Sequence, residues 1–321
     1  MRIAVAFLIV AIAGISALGQ APTLQVVTPD PNLPSELFYG NVKVKPARVR
    51  PGSNPPVLVT INDPDFFVLQ HYNDFLFRMP DQSGFNFWVN GLLACGSDAQ
   101  CMEYVRVNTS GAFFLSIECR ETGYLVERLY KTAYGSPLGN STLGGQLHQI
   151  QVPVVRFEEW VPDTKTIGIG VVVGQLGWEA ALEANKVSFT NGFAARSRFT
   201  TIYNSMNNTQ YVDALNTNAG SPLSAAERTQ LIADLNGLTK TRAQVLRAIA
   251  EDQDLVNSEF NRAFVTMQYF AYLRRNMNQG NDTDYSGYEF WLNKMNQFNG
   301  NFVNAEMVKA FIQSIEYGGR F

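Results

Sequence analysis

Side chains that do chemistry are scarce in this sequence. It holds only two histidines, His71 and His148, and three cysteines, Cys95, Cys101 and Cys119. No HExxH, paired CxxC or GxSxG run occurs, so zincin, zinc-finger and α/β-hydrolase sites fail at the first check. Charged residues make up 17% of the chain, the net charge is −3 and the pI is near 5.5. That balance gives no general attraction to nucleic acid or to an anionic membrane, and neither is expected as a partner. Beyond residue 19 no apolar run is long enough to cross a bilayer, so an integral membrane protein is not expected.

What is present begins with a leader. Arg2 supplies a positive start, Ile3 to Ala13 are unbroken apolar residues, and Ala17 and Gly19 flank Leu18 as signal peptidase requires. Residues 1–19 therefore read as a cleavable secretory signal peptide, cut before Gln20, and the protein is expected to be secreted or otherwise extracytoplasmic. Export permits disulfides. Cys95 and Cys101 bracket the polar run Gly96-Ser97-Asp98-Ala99-Gln100 and are expected to pair. Cys119 lies on an aromatic-rich helical stretch with Phe113, Phe114 and Ile117, where a buried free thiol is expected. A hydrophobic fraction of 46%, with 12% aromatics, describes a folded chain with a real core.

Self-comparison shows a repeat. Residues 67–78 read FVLQHYNDFLFR and residues 264–275 read FVTMQYFAYLRR, so that Phe67/Phe264, Val68/Val265, Tyr72/Tyr269, Leu76/Leu273 and Arg78/Arg275 coincide. Further on, Gly84 to Asn90 (GFNFWVN) matches Gly287 to Asn293 (GYEFWLN), and Ala112 to Glu118 (AFFLSIE) matches Ala310 to Glu316 (AFIQSIE). The spacing is helical: Phe67, Val68, His71, Tyr72, Phe75 and Leu76 share one face, as do Phe85, Trp88, Val89 and Leu92. Asp63 is placed to cap the first helix, with Pro64 at its first position. The unit expected at both ends is helix, polar loop, Trp-bearing helix, connector and a helix ending in Ser-Ile-Glu. Weaker copies are expected from Tyr211 to Glu251, where Ser224 and Glu227 form a capping box, and from Tyr124 to Tyr134.

The expected fold is mainly α, with repeated helical units at 61–135 and 177–321. Residues 20–60 are set apart: positions 22–56 hold eight of the 14 prolines, and Val42-Lys43-Val44-Lys45 alternates, which suggests an extended arm with one edge strand. Residues 136–176, rich in Gly and Val and without helical period, are expected to be an irregular connector of short strands or ordered loop.

The blocks at 67–78, Pro80-Asp81-Gln82-Ser83-Gly84, Phe87-Trp88 and 112–118 resemble a bacterial family catalogued as domain of unknown function 4214. The resemblance extends over roughly residues 61–321. It implies a helical module, often in exported or surface proteins and distantly similar to phycobilisome linker domains. It implies no established activity and no catalytic residues. The C-terminal copy departs from the family pattern, since Asn276 to Asp282 lengthen its loop and the Pro is absent.

His71 stands where the other copy has Gln268, which argues for a structural role, and His148 lies in a Gly-rich loop with no visible partner. Gly168 to Gly174 has the look of a dinucleotide fingerprint, but the last spacing is one residue too long, and no cofactor is expected. Asp282, Asp284 and Ser286 resemble the start of a calcium loop, although Asn293 stands where its bidentate Glu belongs; the plainer reading is that Asp284 or Ser286 caps a helix. Glu118 and Glu316 are repeated acids, a pattern of packing or capping and not of one acid/base pair. Trp88, Trp291 and most Phe residues are expected in the core, which leaves Trp160 and Trp178 as candidates for a binding site. By elimination the expected function is a non-catalytic module that binds surface protein or glycan, or builds surface structure. The alternative is a secreted hydrolase acting on a polysaccharide, through two carboxylates brought together by the fold.

Overall fold

The computed structural model describes residues 24–27, 36–39, 42–44, 48–50 and 58–321, so the expected signal peptide at 1–19 lies outside the described residues. Two compact units meet at the Val59–Thr60 bond. In the first, β1 (Leu24–Val27), β2 (Glu36–Tyr39) and β3 (Val42–Val44) form an antiparallel sheet in that order, with Leu24 opposite Tyr39 and Leu37 opposite Val44. β4 (Arg48–Val49) pairs with β5 (Leu58–Val59). The arm is therefore more than one edge strand. None of the described strands contains a proline, whose missing N–H would break a ladder bond.

The second unit is mainly helical, as the periodicity indicates. Its first part comprises α1 (Pro64–His71), α2 (Gln82–Leu93), α3 (Ala99–Phe114), α4 (Ile117–Cys119) and α5 (Leu125–Tyr134). A hairpin of β6 (Leu138–Ser141) and β7 (His148–Gln151) follows, then α6 (Phe157–Gly168), α7 (Trp178–Ala194), α8 (Ser197–Tyr203), α9 (Asn208–Ala219), α10 (Ala225–Asn236) and α11 (Arg242–Ala250). The chain closes with α12 (Gln253–Gln268), α13 (Ser286–Gln297), α14 (Met307–Ile312) and α15 (Ile315–Gly319).

Region 136–176 holds short strands as expected, in the β6–β7 hairpin, but departs from the expected connector in carrying the twelve-residue α6. Two features hide α6 in the sequence. Its cap is Arg156, whose amide donates to Glu159 Oε2 at 3.1 Å, and Pro162 sits inside it. Arginine is no ordinary helix-start signal, and proline usually ends a helix. At α1 the sequence is right about position and wrong about the bond. Asp63 is the N-cap, but its carboxylate turns back to accept from the Thr60 amide at 2.7 Å. The capping box of Ser224 and Glu227 stands as expected.

Helix α5 lies at the centre, against α6, α9, α11 and α12. Leu125, Val126, Leu129 and Ala133 on it are 0% exposed. Leu, Val and Ala removed from water on all sides supply the main drive for packing here. The same helix buries Glu127, Arg128 and Lys131. Arg128 Nε donates to the Ala250 carbonyl at 2.8 Å, and Lys131 Nζ to Glu259 Oε2 at 2.5 Å.

The two ends of this unit share local geometry. Both α1 and α12 run on into a π-helical turn, Tyr72–Leu76 and Tyr269–Leu273, closed by a left-handed residue, Phe77 (φ 52°) and Arg274 (φ 56°). Arg78 binds both oxygens of Glu118 at 2.6 and 2.9 Å, and Arg275 does the same to Glu316 at 2.5 and 2.9 Å. Ser116 and Ser314 cap the short helices that carry those acids. At Gly84 an added Cβ would stand 2.5 Å from the Tyr72 hydroxyl, and at Gly287 it would stand 2.6 Å from that of Tyr269. Both tyrosines come that close only because glycine has no side chain. Phe75 meets Tyr272, its aligned counterpart, edge to face at 5.1 Å, so the matched turns pack against one another.

Candidate functional site

Most side chains singled out in the sequence are occupied within the protein. His71 is fully buried, with Nδ1 2.8 Å from the Phe67 carbonyl and Nε2 2.6 Å from Ser110 Oγ. Burial lowers its pKa to about 4, and both ring nitrogens are taken, so no edge is left for a substrate. His148 does have a partner: Nε2 lies 2.9 Å from Glu289 Oε2, across 141 positions of sequence. The Gln146 carbonyl and then the Glu289 carboxylate raise its pKa. Glu289 Oε2 also accepts from Ser141 Oγ at 2.5 Å. The acid thus stands between hydroxyl and imidazole, and the imidazole has no path to the serine proton. A nucleophile triad needs the opposite order, with the base in the middle.

The acids behave alike. Asp282 Oδ2 accepts from Arg275 at 2.7 Å. Asp284 accepts from Thr142 Oγ1 at 2.6 Å and from the Ser286 amide at 2.8 Å, and these bonds hold its carboxyl down to about 2. The two carboxylates therefore serve an arginine and the first turn of α13. Among the described residues no group of three or more His, Cys, Asp or Glu side chains is arranged to hold a metal ion. Glu118 and Glu316 are bound by their arginines, and the Cys119 thiol is buried and free, its pKa raised by that burial.

Trp160 is not a surface aromatic. It is 1% exposed, its indole N–H donates to the Gly123 carbonyl at 3.0 Å, and its ring packs on Phe77 and Phe270. Trp160 therefore cannot touch a surface ligand. Gly123 makes its room, since a Cβ there would lie 2.9 Å from the indole. Trp178, at the start of α7, is half-exposed.

The two tryptophans expected in the core also reach the surface. Trp88 and Trp291 are both half-exposed, and beside them Phe87 is 68% and Phe290 40% exposed. Neighbouring residues on a helix point about 100° apart, so a Phe-Trp pair cannot bury both rings under one partner helix. On α2 the expected apolar stripe is only half covered: Leu92 is buried, while Phe85, Trp88 and Val89 are not fully so.

Between α2 and α3 this leaves a groove of about 430 Å³, lined by Phe87, Trp88, Asn90, Gly91, Val105, Asn108 and Thr109. The Cys95–Cys101 disulfide, Cα atoms 5.5 Å apart, closes the loop that joins the two helices. Asp98 in that loop caps α3, accepting from the amides of Gln100 and Cys101. Trp88 is backed by Phe113, with ring centroids 5.6 Å apart, and flanked edge-on by Phe87 at 4.9 Å. A Cβ added at Gly91 meets nothing within 4 Å, so this glycine leaves the groove wall open. Among the described residues the side chains of Asn90, Asn108 and Thr109 have no hydrogen-bond partner in the protein. The C-terminal end repeats the Phe290-Trp291 pair, but there the six-residue α14 stands in place of the sixteen-residue α3, and Phe302 packs against Gly111. No acid, base or nucleophile lines the groove, so what it offers is contact. No family model, no curated protein and no solved structure matches the chain.

Proposed function

We propose that this protein is a non-catalytic binding or structural module of the bacterial cell surface, working outside the cytoplasm, and that the groove between α2 and α3 holds its ligand. One observation carries the reading: an open aromatic surface, at Phe87 and Trp88, lies in a groove without ionisable side chains, on a hairpin closed by a disulfide. Disulfides persist in oxidising compartments, in keeping with the leader read at 1–19. A polysaccharide hydrolase would need two carboxylates facing a cleft, and the groove has none. The paired contacts at the two ends support descent from one duplicated unit, of the kind the chain resembles in domain of unknown function 4214.

Co-sedimentation of the chain from Gln20 onward with envelope and exopolysaccharide fractions tests this reading. Retention of the wild type and loss on Trp88→Ala is expected. Wild-type protein left in the supernatant, or a Trp88→Ala variant retained equally, would overturn it. Chelation of calcium should change nothing, because Asp282 and Asp284 already have partners.

A further inference from the structure

Resting on that reading, we infer that the ligand in the α2–α3 groove is an uncharged sugar ring of a surface polysaccharide, stacked on the aromatic wall and hydrogen-bonded by Asn90 and Asn108. Charge comes first. None of the seven lining residues ionises, so a uronate, a phosphate or an ammonium group seated there would lose its hydration against no counter-charge. Size comes next. The groove, about 430 Å³, falls in the range of small-ligand sites. A stable protein partner would need roughly 20–30 residues on each side, far more than line this groove.

Lining chemistry separates a sugar from an apolar occupant. A lipid chain or an apolar side chain would cover Asn90 and Asn108 without bonding them, at a cost of about 1–3 kcal/mol for each group left unpaired. A pyranose satisfies both halves of the wall. Its C–H face lies on an aromatic ring, and its hydroxyls both donate to and accept from side-chain amides. The platform is built in advance: Phe113 supports Trp88, and the Cys95–Cys101 bridge fixes the loop between the helices, so little ordering cost falls on binding.

The test is a calorimetric titration of the chain from Gln20 onward with short neutral gluco-, manno- and galacto-oligosaccharides, an oligouronate, and a long-chain detergent below micelle formation. Binding of at least one neutral series is expected. Asn108→Ala should weaken it about tenfold, the loss of one hydrogen bond, and Gly91→Trp, which fills the groove from a position with free space, should abolish it. Far-UV circular dichroism confirms that each variant is folded. Binding of the oligouronate or the detergent alone would overturn the inference, as would a neutral sugar bound equally by folded Gly91→Trp. If no neutral sugar binds while envelope retention persists, the sugar assignment falls and the surface-binding reading stands. If retention is absent as well, both fall.

Discussion

Replacing Glu127 by Gln should stabilise the protein in mildly alkaline solution and change little in acid. Glu127 is 2% exposed on the central helix α5, and its Oε2 has no hydrogen-bond partner in the protein. Burial, and then the neighbouring carboxylate of Glu259, push its pKa from 4.5 up to about 8, with Lys131, Arg128 and Arg262 acting the other way. Glu259 is itself raised by burial, against the pull of Lys131. Between pH 4.5 and about 8 the native protein holds a proton that the unfolded chain has released. The stability linked to that proton is present in full below pH 4.5 and is lost as pH rises through about 8. Each pH unit within the window is worth about 1.4 kcal/mol, which caps the effect at about 5 kcal/mol. Gln fills the same space and never titrates. Urea unfolding of wild type and Glu127→Gln at pH 5 and pH 8.5 should therefore show a stability difference that moves in favour of the variant by several kcal/mol at the higher pH. The same difference at both pH values would refute the reasoning.

Three further outcomes follow from the geometry. Gly84→Ala should destabilise by about 1–3 kcal/mol despite the better helix propensity of alanine, and Tyr72→Phe in the same chain should recover part of the loss; chemical denaturation of single and double variants reads both, and the Gly287/Tyr269 pair should behave the same way. Trp160→Ala should cost about 3–5 kcal/mol in the same assay, while Trp88→Ala, at a half-exposed ring, should cost far less and act on ligand retention instead. His148 should titrate above 6.5 by NMR and move down in Glu289→Gln; its link to Glu289 is complete below pH 6.5 and weakens as pH rises through the raised value.

Much of the fold is legible in the sequence because short-range patterns carry it. Apolar residues at helical spacing mark α1, α2, α9, α10 and α11, and Ser224 with Glu227 marks a helix start by its own bonds. Cys95 and Cys101 are close in sequence, and the loop between them leaves few other ways to pair. What escapes is long-range. Nothing near His148 reports Glu289, and nothing near Trp160 reports Gly123, 37 positions away, whose missing side chain admits the ring. Aromatic spacing says that a stripe exists without saying how much of it is covered. On α2 the cover is partial because α3 stands away from Phe87, Trp88 and Gly91, and that gap is the groove. The adjacency of Phe87 and Trp88 is the one local signal of it, since both rings cannot face one partner helix. Helix α6 is missed because Arg156 and Pro162 break the usual rules of helix start and interior.

The most direct test of the groove as the ligand surface is hydrogen exchange on the chain from Gln20 onward, free and saturated with whichever envelope or polysaccharide fraction retains it. Slowed exchange confined to residues 85–109, on α2, the disulfide loop and α3, is the result expected. Protection elsewhere with residues 85–109 unchanged would contradict it.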